Sequence, residues 1–380
     1  NILNGYYRMR IGINTRILVN KNHEGVHRYI YETTRQMAVS HPEDEFILFF
    51  DRKVSVDFGF PANVKSVIVP WHARHPILWY WWFEIMMPIY LWWYKIDVFY
   101  SGDGYMSLRT SVPTVMVMHD LAYLHYPEYV DKRSLNYYKY YVPKYLRKAS
   151  QVITVSTFVK NDIIDRFSIP EDKVLVAYNA VSEPMDTSHI LIPKPIADDI
   201  DGHPYFLYVG AIHPRKNIIN LIEAFHIFNQ DNKYKLVLAG RLAWDTNEIK
   251  QSILDSPAII HTGMVSEAVK YKLISGAVAM TYISVFEGFG IPLLEAMKTG
   301  TPVITSNVSS MPEVAGDAAL LVSPTDKNDI ANAMKAISSD NALRQDLIKK
   351  GYERYRYFSW NKSAEIIHNA ITALKNKNSK

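Results

Sequence analysis

The sequence predicts an α/β protein built of two doubly wound domains, and three observations carry that expectation. Short apolar runs alternate with helical stretches from end to end, the pattern of parallel strands covered by helices on both faces. The length of 380 residues exceeds what one hydrophobic core usually supports. Finally, the stretch SEPMDTSHILIPKPIADDIDGHP is rich in Pro and Asp and has no periodicity, which puts a domain boundary near residue 185.

In the first half the strand-like runs are RIGIN, EFILFF, SVIVP, DVFYS, TVMVMHD, VITVS and VLVAYN. In the second half they are FLYVGA, KLVLAG, AIIHTG, AMTYIS, TPVITS and AALLV, each followed by a turn signal or a helix start. The first run opens beside Met9, so residues 1–8 read as an upstream extension or a foreign remnant. Doubly wound sheets bind ligands beyond the carboxyl ends of their strands, which makes the residues just after these runs the candidates for function.

Composition narrows the function classes. With 48% hydrophobic and 21% charged residues the chain is ordinary globular material. A formal charge of +4 is too small for a committed nucleic-acid binder, yet it permits a local basic face toward phosphate or anionic lipid. The absence of cysteine removes disulfides, thiol catalysis and Cys-ligated zinc, and agrees with a reducing compartment. Asp199 and Asp201 form the one Asp-x-Asp, in the interdomain stretch, where a surface turn is the simpler reading. No carboxylate or His cluster shows ligand spacing, so neither a metal nor a cofactor is expected.

Three segments carry chemistry. In SVFEGFGIPLLEAM, Pro292 suits the first position of a helix and Gly300 a stop. Glu295 is then expected in the first turn and Glu287 in the preceding loop, both near helix amides that attract phosphate. Two acceptors for hydroxyls thus flank an anion site; the plainer alternative is a surface Glu plus a first-turn Glu favouring the helix dipole. In GAIHPRKNIINLIEAF, Gly210 ends a strand, Pro214 turns the chain and Asn217 is placed to cap an amphipathic helix. Arg215 and Lys216 then stand at a helix mouth facing the surface. There they are either a diphosphate site, Arg binding bidentately and Lys as a point charge, or two solvated charges.

The third segment, WHARHPILWYWWFEIMMPIYLWWYK at 71–95, holds six of the eight tryptophans. Glu84 and Pro88 interrupt its apolar run and a strand follows directly, which argues against a membrane span. Two readings remain. A kinked helix packs its aromatics on the sheet, or at least two of Trp81, Trp82, Trp92 and Trp93 are exposed beside Arg74 or Lys95 as an interfacial surface for a polyprenyl-linked acceptor. The basic and aromatic run DKRSLNYYKYYVPKYLRK at 131–148 reads as a solvated helix face with a buried stripe.

GAIHPRKN, FEGFGIPLLEAM with its E-x7-E spacing, and KTGTPVITSNVSSMPEVAGDAALLVSP, joined by MHDLAY, VITVSTFVKNDI, VLVAYNAV and the closing FSW, form an ordered set. It resembles the family-four retaining glycosyltransferases of the GT-B type over nearly the whole chain. The resemblance implies two Rossmann-like domains facing an interdomain cleft: 1–185 on the acceptor side, 186–360 holding the nucleotide sugar, and 361–380 crossing back to the first. It implies that Arg215 and Lys216 neutralise the donor diphosphate, Glu295 holds ribose hydroxyls and Glu287 hydroxyls of the donor sugar. The amides of Gly288, Phe289 and Gly290 approach that sugar, Gly210 stands beside the donor, and Leu294 and Val265 line the ribose and base pocket. His119, which by itself reads more readily as a structural hydrogen-bonder, lies in the family beside the donor sugar, and its place in the motif reverses that preference.

Where relatives show Gly-x-Gly-Arg-Tyr, this chain has Gly25, Val26, His27, Arg28 and Tyr29, so Gly25 alone is left for close backbone approach. Smaller departures are Ile283, where proline is frequent, and Ala180, where glycine is usual. The activity implied is metal-independent hexose transfer with retention and without a covalent nucleophile. Asn14, Thr15 and Arg16 resemble mannosyltransferases of lipopolysaccharide and capsule assembly, making GDP-mannose the first donor expected and a UDP-sugar the second. The acceptor expected is a glycan or polyprenyl-linked glycan, with no nucleic acid, in the cytoplasm and peripherally on the inner face of the cytoplasmic membrane. Competing readings are a catalytically silent nucleotide-sugar-binding partner subunit, which loss of Glu287, Arg215 or Lys216 would favour, and a GT-B sugar-nucleotide epimerase or phosphorylase.

Overall fold

A computed structural model describes residues 8–19, 25–72, 76–182, 187–243 and 247–378. The chain divides into two units, Asn1–Asn179 with Ser359–Lys380, and Ala180–Phe358.

The first unit is built on seven parallel strands: β1 (Arg10–Asn14), β2 (Glu45–Phe50), β3 (Val64–Ile68), β4 (Val98–Ser101), β5 (Thr114–Met118), β6 (Gln151–Thr154) and β7 (Val174–Val176). Their order is β3-β2-β1-β4-β5-β6-β7, so the winding reverses between β1 and β4. All seven runs read from the sequence are strands. The third begins at Val64 rather than Ser66, because this edge strand is half exposed and carries Lys65 and Ser66 inside its pairing with β2. The inner strands are buried on both faces: Ile11, Ile13, Leu48, Phe99, Val115 and Val117 expose no surface.

Helix Val26–Ser40 packs against the last helix, Trp360–Asn378, which belongs to this unit. The Trp360 ring meets Tyr29 edge-on at 5.8 Å, Ser363 Oγ donates to the Tyr178 carbonyl at 2.6 Å, and Lys375 pairs with Asp97 at 3.2 Å. The aromatic segment forms helix Pro76–Tyr80, a π-helical stretch Trp81–Met86 and helix Met87–Trp93. Pro88 explains the irregular turn. It lacks an N–H and its ring crowds the carbonyl four residues earlier, so the turn ahead of it widens.

The second unit holds β8 (Tyr205–Val209), β9 (Lys235–Ala239), β10 (Ile259–Gly263), β11 (Ala279–Tyr282), β12 (Val303–Ser306) and β13 (Leu320–Val322). They are parallel, in the order β10-β9-β8-β11-β12-β13, with the reversal between β8 and β11. Ile218, Leu221, Ile222 and Phe225 form the buried stripe of helix Ile218–Phe228 at helical spacing. Its neighbour, helix Lys327–Ser339, is capped by Asp326, whose carboxylate accepts the amides of Asn328 at 2.9 Å and Asp329 at 3.2 Å.

The carboxyl ends of β8 and β9 approach each other through two glycines. Gly210 leaves β8 with φ 142°, its amide bonded to the Ala239 carbonyl at 2.9 Å. A Cβ placed on Gly240 meets the Gly210 carbonyl oxygen at 1.8 Å, which no side chain tolerates. Gly240→Ala is therefore expected to destabilise this unit by about 3 kcal/mol or more, the scale of severe overpacking. Urea denaturation followed by circular dichroism measures it, and a parental midpoint would contradict the close approach.

Candidate active site

The switch point between β8 and β11 brings two loops together. After β8 the chain passes through a tight turn at Pro214–Lys216, where the Arg215 amide donates to His213 Nδ1 at 3.2 Å. Burial, with Arg215 and Lys216 beside it, lowers the His213 pKa and keeps the ring neutral, as an accepting nitrogen requires. The Val285 amide then donates to the Arg215 carbonyl at 3.0 Å and fastens the loop after β11 to the loop after β8. Asn217 stands at the start of the next helix but does not cap it. Its conformation is left-handed, its amide group donates to the Pro324 carbonyl at 2.7 Å, and its oxygen accepts from the Asn220 side chain.

These loops assemble one polar cluster. Lys216 Nζ makes an ion pair with Glu287 Oε1 and donates to the Tyr282 hydroxyl at 2.8 Å, and that hydroxyl donates to the same carboxylate at 3.1 Å. Lys216 is thus not the surface-facing residue expected: its side chain is 13% exposed and committed to a buried partner. Burial acts to raise the Glu287 pKa, but Lys216 and Arg215 outweigh it and hold the carboxyl below its ordinary value. Burial pushes the Tyr282 hydroxyl well above its usual pKa, so it stays a donor, and its ring stacks on Tyr208 at 5.8 Å.

The glycine loop is held from behind. Ser309 Oγ accepts the Glu287 amide at 3.2 Å, and Ser310 Oγ lies 2.9 Å and 3.1 Å from the carbonyl oxygens of Glu287 and Phe289. Gly288, Phe289 and Gly290 are all buried, with Phe289 edge-on to Phe358 at 5.4 Å. Gly290 has φ 103°, a conformation that favours glycine. The helix that follows spans Ile291–Lys298, with Pro292 one residue inside it. Glu295 is consequently its fifth residue, one position beyond the first turn expected for it.

Glu295 is buried and pairs with Lys270 Nζ at 2.7 Å. Lys270, from the helix after β10, was not foreseen, because no spacing in a sequence links residues brought together by a fold. Tyr282 escaped for the same reason; it reads as an ordinary strand aromatic. Leu294 is wholly enclosed, whereas Val265 is half-buried in the loop after β10.

The remaining candidates belong to the first unit. His119 follows β5 and sets Nε2 2.8 Å from the Gly102 carbonyl, with Tyr29 edge-on at 5.2 Å. Burial lowers its pKa, so the neutral ring carries its proton on Nε2 and leaves a lone pair on Nδ1. Gly25 precedes helix Val26–Ser40 with φ 50°, and apart from itself and its chain neighbours no described residue comes within 4 Å of where a Cβ would stand. Asn14 and Thr15 are buried at the switch point, donating to Asp103 at 2.8 Å and to the Phe49 carbonyl at 3.0 Å, while Arg16 pairs with Asp103 at 2.9 Å.

The aromatic segment divides. Trp82 has no exposed surface, but Trp81, Trp92 and Trp93 are 48%, 78% and 71% exposed. Trp92, Trp93, Lys95 and Arg109 line a groove of about 670 Å³; Arg74 lies outside the described residues. Elsewhere His41, Asp44 and His368 bring ligand atoms within 4.8 Å of one another, a cluster that sequence spacing does not reveal. Its two imidazoles stack at 3.4 Å with planes 5° apart, so their in-plane lone pairs run parallel and do not converge on one ion.

Residues 195–354 match the family described as glycosyl transferases group 1, and residues 23–183 match glycosyltransferase family 4. The chain is 28% identical over 369 residues to O-antigen chain mannosyltransferase B of Escherichia coli, covering 92% of this chain and 96% of that protein. Its fold is shared with sucrose-phosphate synthase from Thermosynechococcus elongatus, at TM-score 0.73 and 17% identity over 97% and 99% of the two chains. It is shared also with Anabaena HepE, solved with UDP and glucose, at TM-score 0.71 and 15% identity over 96% and 100%.

Two outcomes follow from the cluster. Lys216→Ala strands a buried carboxylate and is expected to cost on the order of 3 kcal/mol in urea denaturation at neutral pH. The lowered Glu287 pKa contributes stability above the unfolded value, which is lost as pH falls through the folded one. Glu287→Gln is therefore expected to show a shallower loss of stability on acidification than the parent. An acid limb as steep as the parent's would mean that this carboxyl is not depressed.

Proposed function

The chain belongs to the group 1 glycosyltransferases of GT-B fold, and from that premise we propose that it transfers a hexose from a nucleotide sugar to a glycan acceptor with retention and without a metal ion. The observation that carries this reading is the Lys216–Tyr282–Glu287 cluster at the carboxyl ends of β8 and β11, where open α/β sheets take their ligands. Arg215 and Lys216 offset the charge that develops on the departing diphosphate. Glu287 accepts from sugar hydroxyls and Glu295 from the ribose, each exchanging part of its lysine contact for a ligand. Gly210, Val265, Leu294 and the amides of Gly288, Phe289 and Gly290 complete the donor pocket; the roles of His119 and Gly25 rest on family resemblance alone. The protein then acts by positioning and charge stabilisation rather than as a covalent partner.

GDP-mannose is the first donor proposed, supported by the mannosyltransferase relative, and a UDP-sugar the second, supported by the UDP bound in Anabaena HepE. The relative's name also supports a glycan acceptor in O-antigen-type polysaccharide synthesis; the proposal extends this to a polyprenyl-linked glycan used at the inner face of the cytoplasmic membrane. No described helix is long and apolar enough to cross a membrane. The groove of Trp92, Trp93, Lys95 and Arg109 suits peripheral contact, since it sets amphipathic rings beside cations.

Under saturating donor, Lys216→Ala is expected to lower turnover by roughly 10²-fold or more, the scale for removing one preorganised charge stabiliser. Calorimetric titration separates the glutamates. Glu295→Ala should bind free nucleoside diphosphate more weakly, whereas Glu287→Gln, which releases Lys216 from its partner, should bind it at least as well as the parent. Equal losses in both would reject the division of roles. For the exposed tryptophans, Trp92→Ser with Trp93→Ser is expected to abolish flotation with anionic liposomes while donor hydrolysis and melting temperature stay near parental. Unchanged flotation would remove the membrane assignment.

A further inference from the structure

A second cavity, of about 270 Å³, lies wholly within the first unit, between the π-helical stretch and helix Lys132–Lys148. Trp79, Tyr80, Tyr137, Tyr141 and Tyr145 line it together with the carboxylate of Glu84. The rings are organised: Trp79 meets Tyr137 edge-on at 5.6 Å, Tyr137 stacks on Tyr141 at 4.4 Å, and the Tyr137 and Tyr145 hydroxyls lie 2.7 Å apart. Burial pushes the pKa of both these hydroxyls well above the usual phenol range, so they act as neutral donors and acceptors.

Glu84 is buried, and its oxygens share the Leu108 amide at 3.0 Å. Oε2 also accepts the Arg109 amide at 3.1 Å and the Ser107 hydroxyl at 3.4 Å, whereas Oε1 has no further partner among the described residues. The carboxylate therefore keeps acceptor capacity, and among the described residues no lysine or arginine lines the cavity itself. Cations stand at its edge, Arg109 Nη2 donating to the Tyr80 hydroxyl at 2.6 Å and Lys144 Nζ 5.9 Å from the Tyr141 ring, but the carboxylate inside repels phosphate. The volume is below the usual range for ligands of drug size and suits a single ring.

We propose that this cavity binds one neutral pyranose ring of the acceptor glycan. The apolar C–H face of a pyranose lies against an aromatic face, here Tyr141 or Trp79, while its rim of hydroxyls donates to Glu84 Oε1 and exchanges hydrogen bonds with the phenols. A cage for an organic ammonium would also use aromatic faces, but here backbone amides already answer the carboxylate charge and the phenols offer hydrogen bonds that such a cation does not use. Acceptor identity rests on the transferase reading above; the binding of a pyranose does not.

Saturation-transfer NMR titration of the full chain with methyl α-mannopyranoside tests the site, alongside tetramethylammonium as the competing chemistry. Tyr141→Ala should weaken glycoside binding about tenfold or more, the upper range for an aromatic contact, while Tyr141→Phe, which keeps the ring, retains most of it. If Tyr141→Ala does not fold, the exposed Tyr80→Ala decides by the same threshold. Parental glycoside affinity in the alanine variant, or displacement of the glycoside by tetramethylammonium, overturns the proposal. Nucleotide-sugar hydrolysis, followed separately, should be unchanged in these variants. Its absence in the parent chain would remove the transferase reading, while the titration still decides the cavity.

Discussion

A buried carboxylate without a cation is costly, and Glu287 is the point where that constraint organises the second unit. Its partner Lys216 must come from a different strand end, so the loops after β8 and β11 have to meet. The Val285 amide on the Arg215 carbonyl and the serine pair behind the glycine loop make that meeting definite. The Tyr282 hydroxyl accepts from the lysine and donates to the carboxylate, so the three groups form one connected chain. The topological reversal between β8 and β11 is what leaves room for the cluster beyond the strand ends.

The same electrostatics bear on the proposed chemistry. A lysine already paired with a carboxylate is a weaker anion trap than a free one, so in the proposed reading a diphosphate would compete with Glu287 for it. Its binding would then release the carboxylate to accept from the proposed sugar's hydroxyls. Lys270 and Glu295 repeat the arrangement on the neighbouring helices. Two lysine–carboxylate pairs thus hold the site's charge internally, which avoids lone charges in a largely buried setting.

The sheets were legible in the sequence because inner parallel strands are apolar on both faces, and all thirteen runs became strands. The edge strand β3 was misplaced by two residues because half-exposed strands lack that signature. Glu287, Glu295, Arg215 and Lys216 could be named because they lie in compact motifs next to strand ends. Their partners could not: Lys270 and Tyr282 are joined to them only by tertiary geometry. Nor does a local pattern tell Trp82, sealed in the core, from its neighbour Trp81, since a π-helical turn changes the phase of the helix within that run.

The last helix, Trp360–Asn378, lies on the unit formed by residues 1–179, so the intervening unit is an insertion within the first. During synthesis the residues of the second unit are all made before the first unit has its final helix. The inserted unit can complete its sheet early, while the Tyr29 side of helix Val26–Ser40 waits uncovered for Trp360 and its neighbours. The first unit is therefore completed only after the second has been made, and its exposed apolar face during that interval is the part of the molecule most dependent on how soon residues 360–378 follow.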